Sequence, residues 1–188
     1  MNKILVFVFL LVSLGSLTAY QLSNNNNENL TIIDSKTLSI TTIDPSFDIQ
    51  LQIDQIDEDD YNLSATVKLD KGSYIISPYS TDSFYLAFML SIPENNYFTT
   101  NSMLLEFPTS IPEIDPILNK PVRCVRKTTT YKQKIKVSEK DDFEVTGLIE
   151  FLLEPSCVPY DVEFTISNRS GKMEVKKMKT FISKEYKL

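Results

Sequence analysis

The chain has 188 residues, 42% of them hydrophobic and 23% charged, with 19 Lys and Arg against 25 Asp and Glu and no histidine. That length and balance suit one globular domain with extensions. The missing imidazole excludes Ser-His-Asp and Cys-His catalysis and the common zinc sites. The formal net charge of −6 disfavours nucleic acid, whose phosphates need a basic surface.

Met1 to Ala19 carries the three parts of a secretory leader: Lys3, the apolar run Ile4 to Leu14, and Gly15-Ser16-Leu17-Thr18-Ala19 ending in a small residue. The expectation is a signal peptide over 1–19, removed near Ala19, and an exported chain, periplasmic or extracellular. A membrane anchor is the competing reading, but the apolar run is shorter than the roughly 20 residues that span a bilayer. No other stretch is long and apolar enough, so no membrane span is expected after cleavage. Residues 20–29 contain Asn24-Asn25-Asn26-Asn27 and offer too little apolar surface to offset the entropy of ordering them. They read as a flexible Asn-rich linker, with the folded domain over 30–188.

From Leu30 the composition turns to β. Thr31 to Ile43 is rich in Ile and Thr, and Phe47-Asp48-Ile49-Gln50-Leu51-Gln52-Ile53-Asp54 alternates with the period of a half-buried strand. Asp57-Glu58-Asp59-Asp60 reads as a solvated turn; a calcium loop would need a glycine among its ligands and a closing glutamate, so no metal is expected. Tyr61 to Leu69 is the next strand, ended by Asp70-Lys71-Gly72-Ser73, where Gly72 supplies the positive φ of a tight turn. Tyr74-Ile75-Ile76-Ser77 continues beyond it. Phe84-Tyr85-Leu86-Ala87-Phe88-Met89-Leu90 is a continuous apolar run between Pro78 and Pro93. Its aromatic content and flanking prolines favour a strand buried on both faces over a buried helix.

Pro108, Pro112, Pro116 and Pro121 predict an irregular connection over Glu106 to Pro121, because proline donates no ladder hydrogen bond. A proline-rich recognition peptide is the alternative, although the spacing lacks a clean repeat. In the next strand Tyr131, Ile135 and Val137 fall on one side and Lys132, Lys134 and Lys136 on the other; this basic stripe reads as a solvated sheet face. Glu139-Lys140-Asp141-Asp142 reads as a turn, and Phe143, Val145, Ile149, Phe151 and Leu153 share one face of the returning strand. Tyr131 to Val137 and Phe143 to Leu153 therefore read as one hairpin. Tyr160 to Ile166 and Lys172 to Ile182 form another pair around Asn168-Arg169-Ser170-Gly171. Seven to nine short strands, closely spaced turns and no amphipathic helix predict an all-β antiparallel sandwich. Its expected core is Phe84, Leu86, Phe88, Tyr131, Ile135, Phe143, Val145, Ile149, Phe151, Val162 and Phe164.

The two cysteines, Cys124 in Pro121-Val122-Arg123-Cys124-Val125-Arg126 and Cys157 in Glu154-Pro155-Ser156-Cys157-Val158-Pro159, carry nearly all the chemistry to which the sequence points. If the hairpin turn is centred between Lys140 and Asp141, they fall opposite one another; a centre at Lys140 puts Ser156 opposite Cys124. In an oxidising compartment a disulfide can persist, and closing this loop contributes roughly 3–4 kcal/mol in the chain-entropy model. Three states stay open: a structural Cys124–Cys157 disulfide, two unpaired thiols, or a redox-active thiol or pair. Glu154 should raise the Cys157 pKa by disfavouring the thiolate. Asn29-Leu30-Thr31, Asn62-Leu63-Ser64 and Asn168-Arg169-Ser170 are glycosylation acceptors only in a host that modifies exported proteins in this way.

Two stretches carry a family resemblance. Ala65-Thr66-Val67-Lys68-Leu69-Asp70-Lys71-Gly72-Ser73-Tyr74 with Ile75-Ile76-Ser77 is one. The other is Tyr131-Lys132-Gln133-Lys134-Ile135-Lys136-Val137, running through Gly147-Leu148-Ile149-Glu150-Phe151 to Cys157-Val158-Pro159-Tyr160-Asp161-Val162-Glu163-Phe164. Over roughly Phe47 to Ser167 these resemble the amino-terminal periplasmic domain of the bacterial thiol-disulfide reductase DsbD. The resemblance implies an immunoglobulin-like sandwich in which two cysteines of one loop, the second followed by proline, pass electrons to partner thiol proteins. Cys157 matches the second position. The segment Phe151 to Ser156 is shorter than the family's loop and holds no first cysteine, and a dithiol needs a second thiol to resolve the mixed disulfide.

Two functions are expected from this. The first is an exported non-enzymatic binding or scaffold module with a protein partner, an envelope or thiol-disulfide protein, and no cofactor. The second is a thiol-disulfide exchange protein in which Cys157 reacts and Cys124 resolves.

Overall fold

The structure is a computed structural model that describes residues 30–33, 40–43, 46–80, 86–114 and 119–183. The expected signal peptide, the Asn-rich linker and Phe84 lie outside the described residues. Within them, strands form wherever β-branched and aromatic residues recur, and there is no helix. In chain order these are β1 (Leu30–Ile33), β2 (Ile40–Ile43), β3 (Phe47–Gln55), β4 (Asp60–Leu69), β5 (Ile75–Ile76), β6 (Met89–Ser91) and β7 (Phe98–Phe107). They continue as β8 (Pro112–Ile114), β9 (Pro121–Val125), β10 (Thr129–Val137), β11 (Phe143–Leu153), β12 (Val158–Arg169) and β13 (Lys172–Ile182). The expected all-β fold is what the chain adopts.

Two four-stranded antiparallel sheets supply the core. One has the order β3-β4-β10-β7 and the other β13-β12-β11-β6. Inner residues of the first, among them Ile49, Leu63, Val67, Tyr131 and Ile135, cluster with Val145, Ile149, Phe151, Val162, Phe164 and their neighbours from the second. Phe88 stacks on Tyr131 at 3.8 Å between ring centroids and faces Phe151 at 6.3 Å, tying the two layers together. Of the expected core, Phe88, Tyr131, Ile135, Phe143, Val145, Ile149, Phe151, Val162 and Phe164 are buried, and Leu86 is half-buried.

The pairing corrects the expected hairpin of β10 with β11. Both edges of β10 are taken, by β4 and β7, and both edges of β11, by β12 and β6. Residues 138–142 therefore carry the chain from one sheet to the other rather than folding it back within one. Within the two large sheets the consecutive strands that pair are β3–β4, β11–β12 and β12–β13. The last closes on Ser170 (φ 52°) and Gly171 (φ 81°), the two left-handed residues of a type I′ turn. Gly147 lies opposite Phe164 in the β11–β12 register, and a Cβ there would sit 2.3 Å from the Phe164 ring.

Two further expectations change. The apolar run 84–90 is no continuous strand in its described part: Ala87 bridges Ile76 in parallel, Phe88 alone is buried, and pairing resumes in β6. The span Glu106 to Pro121 is more regular than its prolines imply. Phe107 still belongs to β7, and Pro112 lies in the short strand β8, opposite Arg123 of β9. Pro121 opens β9, and proline is tolerated at a strand start or an edge. β5 carries β9 and β8 on one side, and the Tyr74–Glu154 bridge on its other side joins this three-stranded piece to the end of β11.

Candidate functional site

Cys157 sits at the tip of the β11–β12 hairpin. Leu153 pairs with Val158, so Glu154-Pro155-Ser156-Cys157 is a four-residue turn, with a cis Glu154–Pro155 bond and Cys157 at φ 52°. The Cys157 thiol donates to Glu154 Oε2 at 3.2 Å, and the Ser156 hydroxyl donates to the Leu153 carbonyl at 3.0 Å. Glu154 itself is buried, its backbone exchanging both hydrogen bonds with Tyr74. The hydrogen bond to the Glu154 carboxylate, then burial, then the carboxylate's charge push the Cys157 thiol above its ordinary pKa, the direction expected from sequence. A thiol held protonated is a weak nucleophile.

Cys124 does not meet Cys157, and no disulfide joins them. Cys124 pairs with Ile76 on one edge of the 74–77 segment, whereas Glu154 pairs with Tyr74 on the other edge. One strand thus separates the two chain segments, about 9.6 Å for two strand spacings, beyond the ~7 Å Cα separation a disulfide tolerates. The register that placed the cysteines opposite each other required the β10–β11 hairpin, which does not form. Cys124 instead lines a groove of about 320 Å3 with Ser110, Ile111, Glu113 and Arg126. Beside Lys127, two charges there satisfy each other, Arg126 Nη2 meeting Glu113 Oε1 at 2.5 Å while its guanidinium lies 4.1 Å over the Tyr74 ring.

A different surface stands out on β7, which the sequence reading left unassigned. This strand is the edge of its sheet, and its pairing with β10 sets Phe107 opposite Thr130, Glu106 opposite Tyr131 and Leu105 opposite Lys132. Between Lys132 and Lys134 the partner advances from Leu105 to Asn101. Two extra residues bulge there, and an even insertion leaves the inside and outside sets unchanged. The result inverts the usual partition. Met103, Leu105 and Phe107 are 60%, 41% and 52% exposed, while Glu106 is 3% exposed. Glu106 Oε1 accepts from the Ser110 amide at 2.7 Å, and its Oε2 is buried without a hydrogen-bond partner. Burial, and next the Glu106 carboxylate, push the Tyr131 phenol well above its ordinary pKa.

The outward face of this sheet is graded. Thr130 and Thr66 hydroxyls touch at 2.9 Å, and in register Leu105, Lys132, Ser64 and Gln52 form one row across four strands. The face runs from apolar at β7, through Lys132 and Lys134 on β10, to Asn62, Ser64, Thr66 and exposed Lys68 on β4 and then to exposed Asp48 and Asp54 on β3, with Asp48 opposite Lys68. Lys132 Nζ reaches 6.0 Å from the centre of the Phe107 ring. Among the described residues no carboxylate lies within ion-pair distance of Lys132 or Lys134. The lysine stripe was read from sequence; its apolar border was not. The signal for that border was Met103, Leu105 and Phe107 spaced by two around Glu106.

No family model matches the chain, and no curated protein matches it. Among the described residues no helix is long and apolar enough to cross a membrane.

Proposed function

We propose that the chain is an exported, non-enzymatic protein-binding module that holds its partner on the outward face of β7 and β10. The inverted strand carries this reading. Phe98 and Leu104 hold the register by facing the core, and that register leaves Met103, Leu105 and Phe107 outside and a carboxylate inside, where burial is costly. Exposed apolar side chains in a row on a strand mark an interaction surface. Export rests on the leader read in 1–19. The complete absence of histidine and the protonated state favoured for Cys157 support a non-enzymatic role over thiol exchange with Cys124.

Strand order supports the immunoglobulin-like reading of the sandwich. β3-β4-β10-β7 faces β6-β11-β12, which in chain order is the A-B-E-D against C-F-G arrangement of constant-type immunoglobulin domains, with β13 added beyond G. Kinship with the DsbD amino-terminal domain would account for this order.

The test is a displayed-peptide selection on the wild-type domain, followed by scoring on a Leu105→Ser/Phe107→Ser double variant. Enriched peptides that bind the wild type and lose at least about tenfold on the variant support the assignment. Peptides that bind both forms equally place the binding surface elsewhere.

A further inference from the structure

The lysines beside the apolar row define what kind of partner fits. We infer that the β7–β10 face takes an amphipathic helix of a partner protein whose apolar stripe is bordered on one side by carboxylates; this rests on the binding reading above. Lys132 and Lys134 lie two residues apart on the outward side of β10, about 6.8 Å along the strand, and one strand spacing, about 4.8 Å, from the β7 row. A helix laid along β7 with Leu, Met or Phe at intervals of three and four residues would cover Met103, Leu105 and Phe107. Glu or Asp on its β10 side would meet the two ammonium groups, which no carboxylate of this chain engages among the described residues.

Geometry distinguishes the helix from two other occupants. An added strand would have to pair along the β7 edge, but the Tyr79 hydroxyl already donates to the Leu104 carbonyl there, and an inward carboxylate such as Glu106 is a known guard against edge pairing. An anionic bilayer would cover the whole face. Asp48 and Asp54 on β3 are three strand spacings from β7, about 14 Å, so a flat anionic surface meets them, whereas a helix about 10 Å wide stays on β7 and β10. With two carboxylates against the single Lys68 opposite Asp48, that edge adds no attraction for the bilayer and lies outside the reach of the helix.

The experiment uses the full mature chain and three designed helical peptides of about 20 residues, enough to run ~30 Å along the strand. All share one Leu/Phe stripe. The first has Glu on one flank, the second Lys in the same places and the third Gln. Binding is measured by fluorescence anisotropy at low and high salt, with phosphatidylcholine vesicles containing phosphatidylserine as a separate arm. The Glu peptide should bind at least about tenfold tighter than the Lys peptide, lose that advantage in high salt, and be matched by the Lys peptide on a Lys132→Glu/Lys134→Glu variant. Equal binding of all three peptides, abolished by Leu105→Ser/Phe107→Ser, overturns the acidic helix while the binding face survives. Absence of binding by every peptide, or binding that ignores Leu105→Ser/Phe107→Ser, overturns both. Vesicle binding that outcompetes the Glu peptide overturns the protein partner.

Discussion

β11 and β7 are strands of nearly equal length in the same sandwich, and they treat their side chains in opposite ways. Along β11 the residues at Phe143, Val145, Gly147, Ile149, Phe151 and Leu153 are buried in strict alternation, and core packing alone explains every one. Along β7 the alternation persists and Phe98 and Leu104 still face the core, but Met103, Leu105 and Phe107 face outward and the carboxylate of Glu106 faces inward. Burial of apolar surface is the main force that fixes which face of a strand points in. Where it is overruled, the surrounding contacts fix the register instead: Thr130, Tyr131 and Lys132 hold β7 from β10, and the Ser110 amide holds Glu106. The first strand is there to make the fold; the second uses the fold to present a surface.

Stability should separate the two strands sharply. Phe151→Ala removes a ring packed edge-on against Phe47 at 4.9 Å and close to Tyr160 at 5.9 Å. Its expected cost is about 3–5 kcal/mol, seen as a lower urea midpoint with an unchanged slope. A loss under ~1 kcal/mol would mean that β11 is not the centre of the core. Next in size is Gly147→Ala. The added methyl meets the Phe164 ring at 2.3 Å and should cost about 1–3 kcal/mol by overpacking, even though alanine suits a strand no worse than glycine. Pairing it with Phe164→Leu, which clears the contact, should recover part of the loss in a double-mutant cycle.

On β7 the expectation reverses. Met103→Ser, Leu105→Ser and Phe107→Ser should each leave stability within about 0.5 kcal/mol, the range of exposed substitutions, while the double variant loses peptide binding. A stability loss of core size at Leu105 would remove the contrast between the strands, because the side chain would then be part of the packing.

How much of this was legible in the sequence follows from the same contrast. β3, β4, β11, β12 and β13 declare themselves by period two because one face is apolar and the other polar. β7 carries Phe98 and Leu104 in one parity set and Met103, Leu105 and Phe107 in the other, so neither period nor polarity assigns its faces; only the register with β10 does. The expected β10–β11 hairpin fails for a related reason. Alternation shows that a residue faces a core but not which strand lies beside it, and Glu139-Lys140-Asp141-Asp142 has the composition of a turn whether the chain folds back or crosses between sheets. Once that pairing falls, the proposed alignment of Cys124 with Cys157 falls with it.

The smallest expected effect lies at the far end of β11, where alternation gives way to the turn that holds Cys157. The thiol donates to Glu154 Oε2 and its pKa is raised, first through that hydrogen bond. Its contribution to stability is therefore fully present below the ordinary cysteine pKa of about 8.5 and is lost as pH rises through the higher folded value. Because Cys157 is exposed, this contribution is small, and reactivity is the sharper readout. Alkylation of a Cys124→Ser variant, in which Cys157 is the sole thiol, should follow a pH profile whose midpoint lies above the ordinary value. Glu154→Gln keeps the shape of the side chain and removes its charge, so the midpoint should move down and the rate at neutral pH should rise, with little change in melting temperature. A midpoint at or below the ordinary value in the parent protein would make Cys157 an activated thiol and favour the hairpin tip over β7 as the proposed site. The raised value, in contrast, is what a turn built to hold a protonated thiol against a buried carboxylate requires, and it leaves the surface chemistry of the sandwich to the strand that turns its apolar side outward.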